Sequence, residues 1–448
     1  MKKAFSIALL FCNLILSMVL YFNAPIDFDR SFVITCTIIY IVSSLLLLYN
    51  NCRTSLVYFE FFFLIVFFFT NYLYPLIHYI DNPYFSLFNL EFNEGYICRA
   101  LALSTIGVCA FCIGVYNMTY DKKVSSSNST TSLSLRKPGI IVYILFFLFL
   151  PYIVRLHSLN EYSTEFESSY INVILLYLIY YYLLCLFYAS RNQSLLSFIK
   201  TCLSNPILYL IFIYILLLLG IGSRTIPLRI FLLCLFLFNI YIIKITNIQI
   251  GFITILGAIF LAIVGITRDG ASLDDSSIKT IWDIGSDLTI NNRSLYVLME
   301  YGDQHGLTYG RTMLMGALSA IPFLQSIFLK ITGMNVDSIS SAGLVTSLHF
   351  DIGDPSRIGL GTNLIGDIYV SFGLIGVILL MYLFGKFLCK LNRGCQHGHM
   401  LSIIVYSMIF IDSVYLSRSS YLTCVRSITW VLAIYYIYNK SFFKPYRK

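Results

Sequence analysis

Long apolar runs separated by short polar stretches carry most of the chain. They fall at 4–21, 32–48, 56–80, 97–116, 140–154, 171–189, 206–220, 227–243, 248–266, 363–384, 401–416 and 424–438. A helix needs about 20 apolar residues to cross a bilayer. The pattern therefore predicts an all-α polytopic membrane protein with about 12 transmembrane helices. The first run follows Met1-Lys2-Lys3 as a secretory signal would. It exceeds the roughly 7–15 residues of a signal core and lacks a clean small-x-small cleavage site, so it predicts the first membrane helix. No repeat with a period of 20–50 residues is visible, which removes solenoid architectures.

The pattern turns polar between 267 and 361. It divides the chain into a nine-helix N-terminal bundle (1–266), a large loop (267–361) and three C-terminal helices with a tail (362–448). Within the loop, 312–329 is apolar but interrupted by Pro322 and flanked by Arg311 and Lys330. A crossing there would place Lys386, Lys390, Arg393 and the basic C-terminus outside, against the positive-inside bias. The stretch is therefore expected to be a bent interfacial or re-entrant helix packed over a cavity between the helices. The Ser/Thr-rich stretch 125–134 cannot bury enough apolar area to fold alone and reads as a cytoplasmic linker.

Charge orients this arrangement. Lys2, Lys3, Arg53, Lys122, Lys123, Arg136, Lys137, Arg191, Lys200, Lys244, Lys386, Lys390, Arg393, Lys440, Lys444, Arg447 and Lys448 all fall in loops on one side. That side is the cytoplasm, so both termini are cytoplasmic. Asp27, Asp29, Glu91, Glu94, Glu161, Glu165 and Glu167 fall on the other side, with the large loop.

Composition removes other classes. Hydrophobic residues make up 58% and charged residues 12% of the 448, against about 25% charged in a soluble domain. A soluble fold is excluded. The net charge of +8 reflects the short basic loops, so it gives no reason to expect nucleic acid. Most of the 12 cysteines lie inside apolar runs and none lies between Thr267 and Leu360, which makes them small buried hydrophobes rather than a disulfide framework. The 37 Phe and 35 Tyr serve packing and an interfacial belt.

Charges in or beside membrane helices are costly and mark sites. Arg155, Arg224, Arg268, Arg293, Arg311, Arg357, Asp367, Asp412 and Arg418 all map to the outer side. An arginine taken singly is as well explained by snorkelling or by pairing with an acid. The grouping suits a polyanion such as a pyrophosphate-linked lipid, because guanidinium forks match phosphate oxygens. Two stretches are more specific: the glycine-flanked turn Gly222-Ser223-Arg224, and the glycine-studded block 359–376 in which Asp367 lies about one turn into a helix. His305 and His349 are isolated and no zinc-like spacing occurs, so metal-independent chemistry with no cofactor is expected.

Four landmarks then occur in order: Gly222-Ser223-Arg224, Arg268-Asp269, the stretch from Tyr309-Gly310-Arg311 to Ile321-Pro322, and the block from Gly361 to Gly376. Together they resemble the oligosaccharide repeat-unit polymerases of the Wzy type, over 208–385. That family more often has Glu where Asp367 stands and a small pair where Thr362-Asn363 stands. The resemblance implies transfer of a growing glycan from undecaprenyl pyrophosphate to a hydroxyl of an incoming lipid-linked repeat unit, on the periplasmic face of the bacterial inner membrane. It also implies partnership with a chain-length regulator besides the membrane lipids. On that reading Arg224, Arg268 and Arg357 hold the pyrophosphate with help from Arg311, and His349 or Asp367 accepts the acceptor's proton. An O-antigen ligase and a repeat-unit flippase are the alternatives. The flippase is disfavoured because transporters of that kind show internal repeats and midplane sites.

Overall fold

The computed structural model describes residues 2–51, 56–77, 92–117, 139–159, 170–191, 193–220, 223–268, 281–351 and 359–440. The linker 125–134, Asp269, Arg357 and the basic residues Arg53, Lys122, Lys123, Arg136 and Lys137 lie outside them. Every apolar run carries a helix. The first nine runs hold α1 (Lys2–Phe22), α2 (Arg30–Asn51), α3 (Phe59–Asn71) with the short α4 (Leu73–Ile77), α5 (Ile97–Asn117), α6 (Gly139–Leu159), α7 (Tyr170–Ala189), α9 (Pro206–Gly220) preceded by α8 (Leu195–Leu203), α10 (Thr225–Tyr241) and α11 (Asn247–Arg268). After α12 (Ile281–His305), α13 (Leu314–Leu318), α14 (Leu324–Thr332) and α15 (Ser341–Ser347) come α16 (Leu364–Gln396), α17 (Met400–Phe410) and α18 (Cys424–Lys440). No strand occurs among the described residues.

Five of these helices are long and apolar enough to cross a membrane, and α8 with α9, bent by 74°, makes a sixth if taken as one span. Several other runs hold shorter helices. The run 401–416 is helical for only 11 residues, about 16 Å at 1.5 Å per residue, and then unwinds through turns into a 3₁₀ turn at Leu416–Arg418. Along α1, Phe5, Ile15 and Phe22 stand exposed, an apolar face suited to hydrocarbon rather than water.

The core is organised around α5, which packs against α1, α2 and α16 and is buried along nearly its whole length. Small residues make this closeness possible. A Cβ added at Gly114 would collide with the Tyr382 carbonyl, and one at Gly385 with the Phe111 carbonyl. The two backbones are therefore in direct contact, the arrangement small residues permit between membrane helices. A second group forms as α7 packs on α6, α10 and α18, with α10 joined to α17.

Two features depart from a simple hydropathy reading. The 25-residue α12 lies in the stretch expected to be loop, and it is buried against α16 and α3. Its buried residues include the polar Thr289, Asn291, Asn292, Arg293 and Ser294 beside the apolar Leu295, Leu298 and Met299, so polar groups share the burial here. The expected bend near Pro322 is a break between α13 and α14, with Phe323 at φ 63°. Also, α16 is one long helix only nominally: Gly373 adopts φ 66°, ψ −162°, a region open to glycine. The break frees the Val370 carbonyl, which accepts instead from the Thr308 backbone N–H (2.8 Å) and hydroxyl (3.2 Å).

Candidate functional site

The first turn of α16 is held by buried asparagines. Asn363 caps the helix, its Oδ1 accepting from the Ile365 (2.9 Å) and Gly366 (3.3 Å) backbone N–H groups. Its amide donates to Asn71 Oδ1 (2.8 Å) on α3 and to the Asn291 carbonyl (3.4 Å) on α12. Asn292 donates to the Asn71 carbonyl at 3.0 Å. Gly361, at φ 70°, brings the chain in beside the Asn291 side chain, which occupies the space a Cβ would need. Three helices thus converge on one cap, and every bond in the set is shielded from water.

One turn further on, Asp367 is fully buried. Its place near a helix N-terminus favours negative charge. The Tyr421 backbone N–H donates to Oδ2 at 2.9 Å, while Oδ1 has no geometric hydrogen-bond partner among the described residues. The hydroxyls of Ser341 and Thr312 face this carboxylate. They are themselves positioned: Thr362 donates to Ser341 at 2.9 Å, and Thr312 and Ser371 share a hydrogen bond of 3.0 Å. A buried polar oxygen left over in such a set is the kind of atom that function explains.

The Tyr309-Gly310 turn leads into Thr312. Both residues have positive φ, 50° and 84°, an unusual conformation for tyrosine. The turn directs Thr312 inward and leaves the adjacent Arg311 exposed. His349 is half-buried, and its Nδ1 lies 2.9 Å from the Val345 carbonyl. That carbonyl can only accept, so Nδ1 carries the hydrogen and Nε2 is the basic atom. Ser341 opens α15 and His349 follows its other end, which separates them by about 12 Å along the axis. The groups that meet the Asp367 carboxylate are Tyr421, Ser341 and Thr312.

Arg224 is half-buried at the start of α10 and Arg268 ends α11. Arg293 is buried on α12, and burial pushes its guanidinium down to about 10, still charged at neutral pH. Asp412 pairs with Arg229 Nε at 2.7 Å. The guanidiniums of Arg229 and Arg418 lie 5.5 and 5.6 Å from the Tyr415 ring centre. Sequence reasoning missed Arg229, although a lone charge inside the run 227–243 was the available signal. It also missed Arg99, whose guanidinium meets Asp303 at 2.5 Å and donates to the Tyr21 (2.8 Å) and Tyr369 (3.1 Å) hydroxyls. Asn71, Asn291 and Asn363 carry no charge and gave no signal before the helices converged.

Exposed apolar helix faces, a charge pair inside the bundle and a fully buried carboxylate among hydroxyls define a multi-pass membrane protein with a polar cluster in its interior. The chain belongs to the O-antigen polysaccharide polymerase Wzy family, whose model matches residues 4–444, nearly its whole length. Polymerisation of O-antigen polysaccharide is its function, and the match extends well beyond the stretch 208–385 that holds the four landmarks. Comparison with curated proteins gave no match, and comparison with solved structures gave none.

Proposed function

We propose that this polymerase joins undecaprenyl-pyrophosphate-linked repeat units on the periplasmic face of the inner membrane, with both termini in the cytoplasm and the loop 267–361 outside. The observation that carries the reading is the Asp367 carboxylate: fully buried, with Oδ1 lacking a hydrogen-bond partner among the described residues and the hydroxyls of Ser341 and Thr312 facing it. The exposed apolar side chains of Ile321, Phe323, Ile327 and Ile331 support an interfacial position for 312–329 at the bilayer surface, where a lipid-linked glycan arrives.

In the reaction the bond between the donor's anomeric carbon and the pyrophosphate oxygen breaks, and the acceptor hydroxyl oxygen bonds to that carbon. The lipid pyrophosphate leaves with the electron pair. The hydroxyl proton passes to a base, Asp367 or His349. Pyrophosphate is already a good leaving group, so the protein's work is to position the hydroxyl and stabilise developing charge. Arg224, Arg268, Arg311 and Arg357 take the second task. A chain-length regulator is the expected protein partner.

The test is made in the host. Deleting the gene should collapse the silver-stained ladder to core plus one repeat. Complementation with Asp367→Asn should leave that collapse in place at normal protein level, and Asp367→Glu should restore part of the ladder. A full ladder with Asp367→Asn would remove the carboxylate from the mechanism. Core with no repeat at all would point to a ligase or flippase. Arg224→Ala and Arg268→Ala should abolish extension, with Arg→Lys only partly active because the fork is lost.

A further inference from the structure

At the end of the bundle where α1 stops, a cleft of about 430 Å³ opens between the 22–26 turn and the start of α5. Tyr21, Phe22, Asn93, Tyr96 and Arg99 contribute to its walls. Its volume falls within the range of small-molecule sites. The polar wall is built, not incidental. Arg99 is clamped by Asp303 and by two phenols, Asp303 accepts from Tyr369 at 2.7 Å, and the Tyr96 hydroxyl faces Asp303. Asn93 is likewise fixed, accepting from the Gly95 N–H at 3.0 Å and donating to Glu300 at 3.2 Å. These contacts tie α1, α5, α12 and α16 together at the cleft.

The chemistry of the walls selects a ligand class. Arg99 is neutralised by Asp303, so the cleft offers an anion little net attraction. It does offer phenol, amide and guanidinium groups, which together donate and accept, beside the faces of aromatic rings. A sugar presents the matching set: hydroxyls that both donate and accept around an apolar face of C–H groups. Phe22 and Ile26 are 70% and 81% exposed at the lip, which places the mouth at the membrane surface. We propose that this cleft is a saccharide subsite that holds a sugar ring of the glycan, with Tyr96 as the stacking platform and Asn93 and Arg99 as hydroxyl partners. The proposal rests on the polymerase reading above and adds where the glycan is gripped.

The cleft is distinct from the Asp367 pocket. Tyr369 follows Asp367 by two residues, about 200° around the helix, so α16 turns its carboxylate to one pocket and its phenol to the other. That separation makes the test clean. The probe is a short O-antigen oligosaccharide released by mild acid from the host's own lipopolysaccharide, observed by saturation-transfer NMR with the purified full chain in detergent. Wild type and Asp367→Asn should bind it. Ala24→Trp, which fills the cleft, and Tyr96→Ala, which removes the platform, should each bind roughly tenfold more weakly or not at all, while eluting as wild type on gel filtration. Unchanged binding by Tyr96→Ala and Ala24→Trp would overturn the proposal, as would no binding by wild type or equal competition from glycerophosphate. Loss of binding in Asp367→Asn alone would move the subsite to the carboxylate pocket. The polymerase mechanism fails separately, through a full ladder in the Asp367→Asn host.

Discussion

Arg229 and Asp412 meet inside the helical bundle, with the Asp412 side chain only 3% exposed. Deleting one partner of such a pair leaves the other charge buried and costs about 3–5 kcal/mol, whereas replacing both with apolar side chains is far milder. Asp412→Ala should therefore lower protein level and melting temperature in detergent, and Arg229→Leu/Asp412→Leu should recover most of the loss. The pair also has a positional consequence: the segment after Asp412 leads to Tyr421, whose N–H holds Asp367. The double variant should accordingly regain stability more fully than it regains polymer, measured as melting temperature against ladder length. Asn363 acts on the other flank of the carboxylate. Asn363→Ala removes a cap worth about 1 kcal/mol and leaves Asn71 Oδ1 short of a donor, so it should reduce melting temperature by more than an exposed cap substitution would.

Among the helices, α5 and α16 form the contact on which the bundle depends. Their backbones touch at Gly114 and Gly385, and that contact has no room for a side chain. Gly385→Leu should prevent accumulation of folded protein, seen as aggregation on fluorescence-detected gel filtration, whereas the same change at Gly251, where nothing lies within 4 Å of an added Cβ, should be tolerated. Gly373 has a different role, because its φ of 66° is what splits α16. Gly373→Ala places a Cβ in a sparsely populated conformation at a cost of about 1–3 kcal/mol. It should also loosen the Thr308 contacts with Val370 that position the Tyr309-Gly310-Arg311 turn, so chain extension should fall more than stability does.

At the scale of the molecule, the orientation is directly testable. An alkaline phosphatase fused at the C-terminus should be inactive and the same reporter inserted after Met334 should be active, since only the periplasmic location folds it; the reverse pattern would invert the topology. The helical class, the positions of the twelve helix-bearing runs and the family landmarks were legible in the chain itself, because bilayer insertion depends on local apolar length and on the sign of flanking charge. Asp367, Arg224, Arg268 and Arg311 stand out as candidates for a related reason: a charge beside an apolar run contrasts with its surroundings. The tertiary structure decided the rest. It buried residues 291–299 of a helix in the stretch expected to be loop, joined uncharged Asn71, Asn291 and Asn363 into one cap, and paired Arg229 with Asp412 and Arg99 with Asp303. The cap and the two ion pairs join residues between 72 and 292 positions apart in sequence, and hydropathy, which reads each segment alone, carries no record of which polar groups will meet once the helices pack.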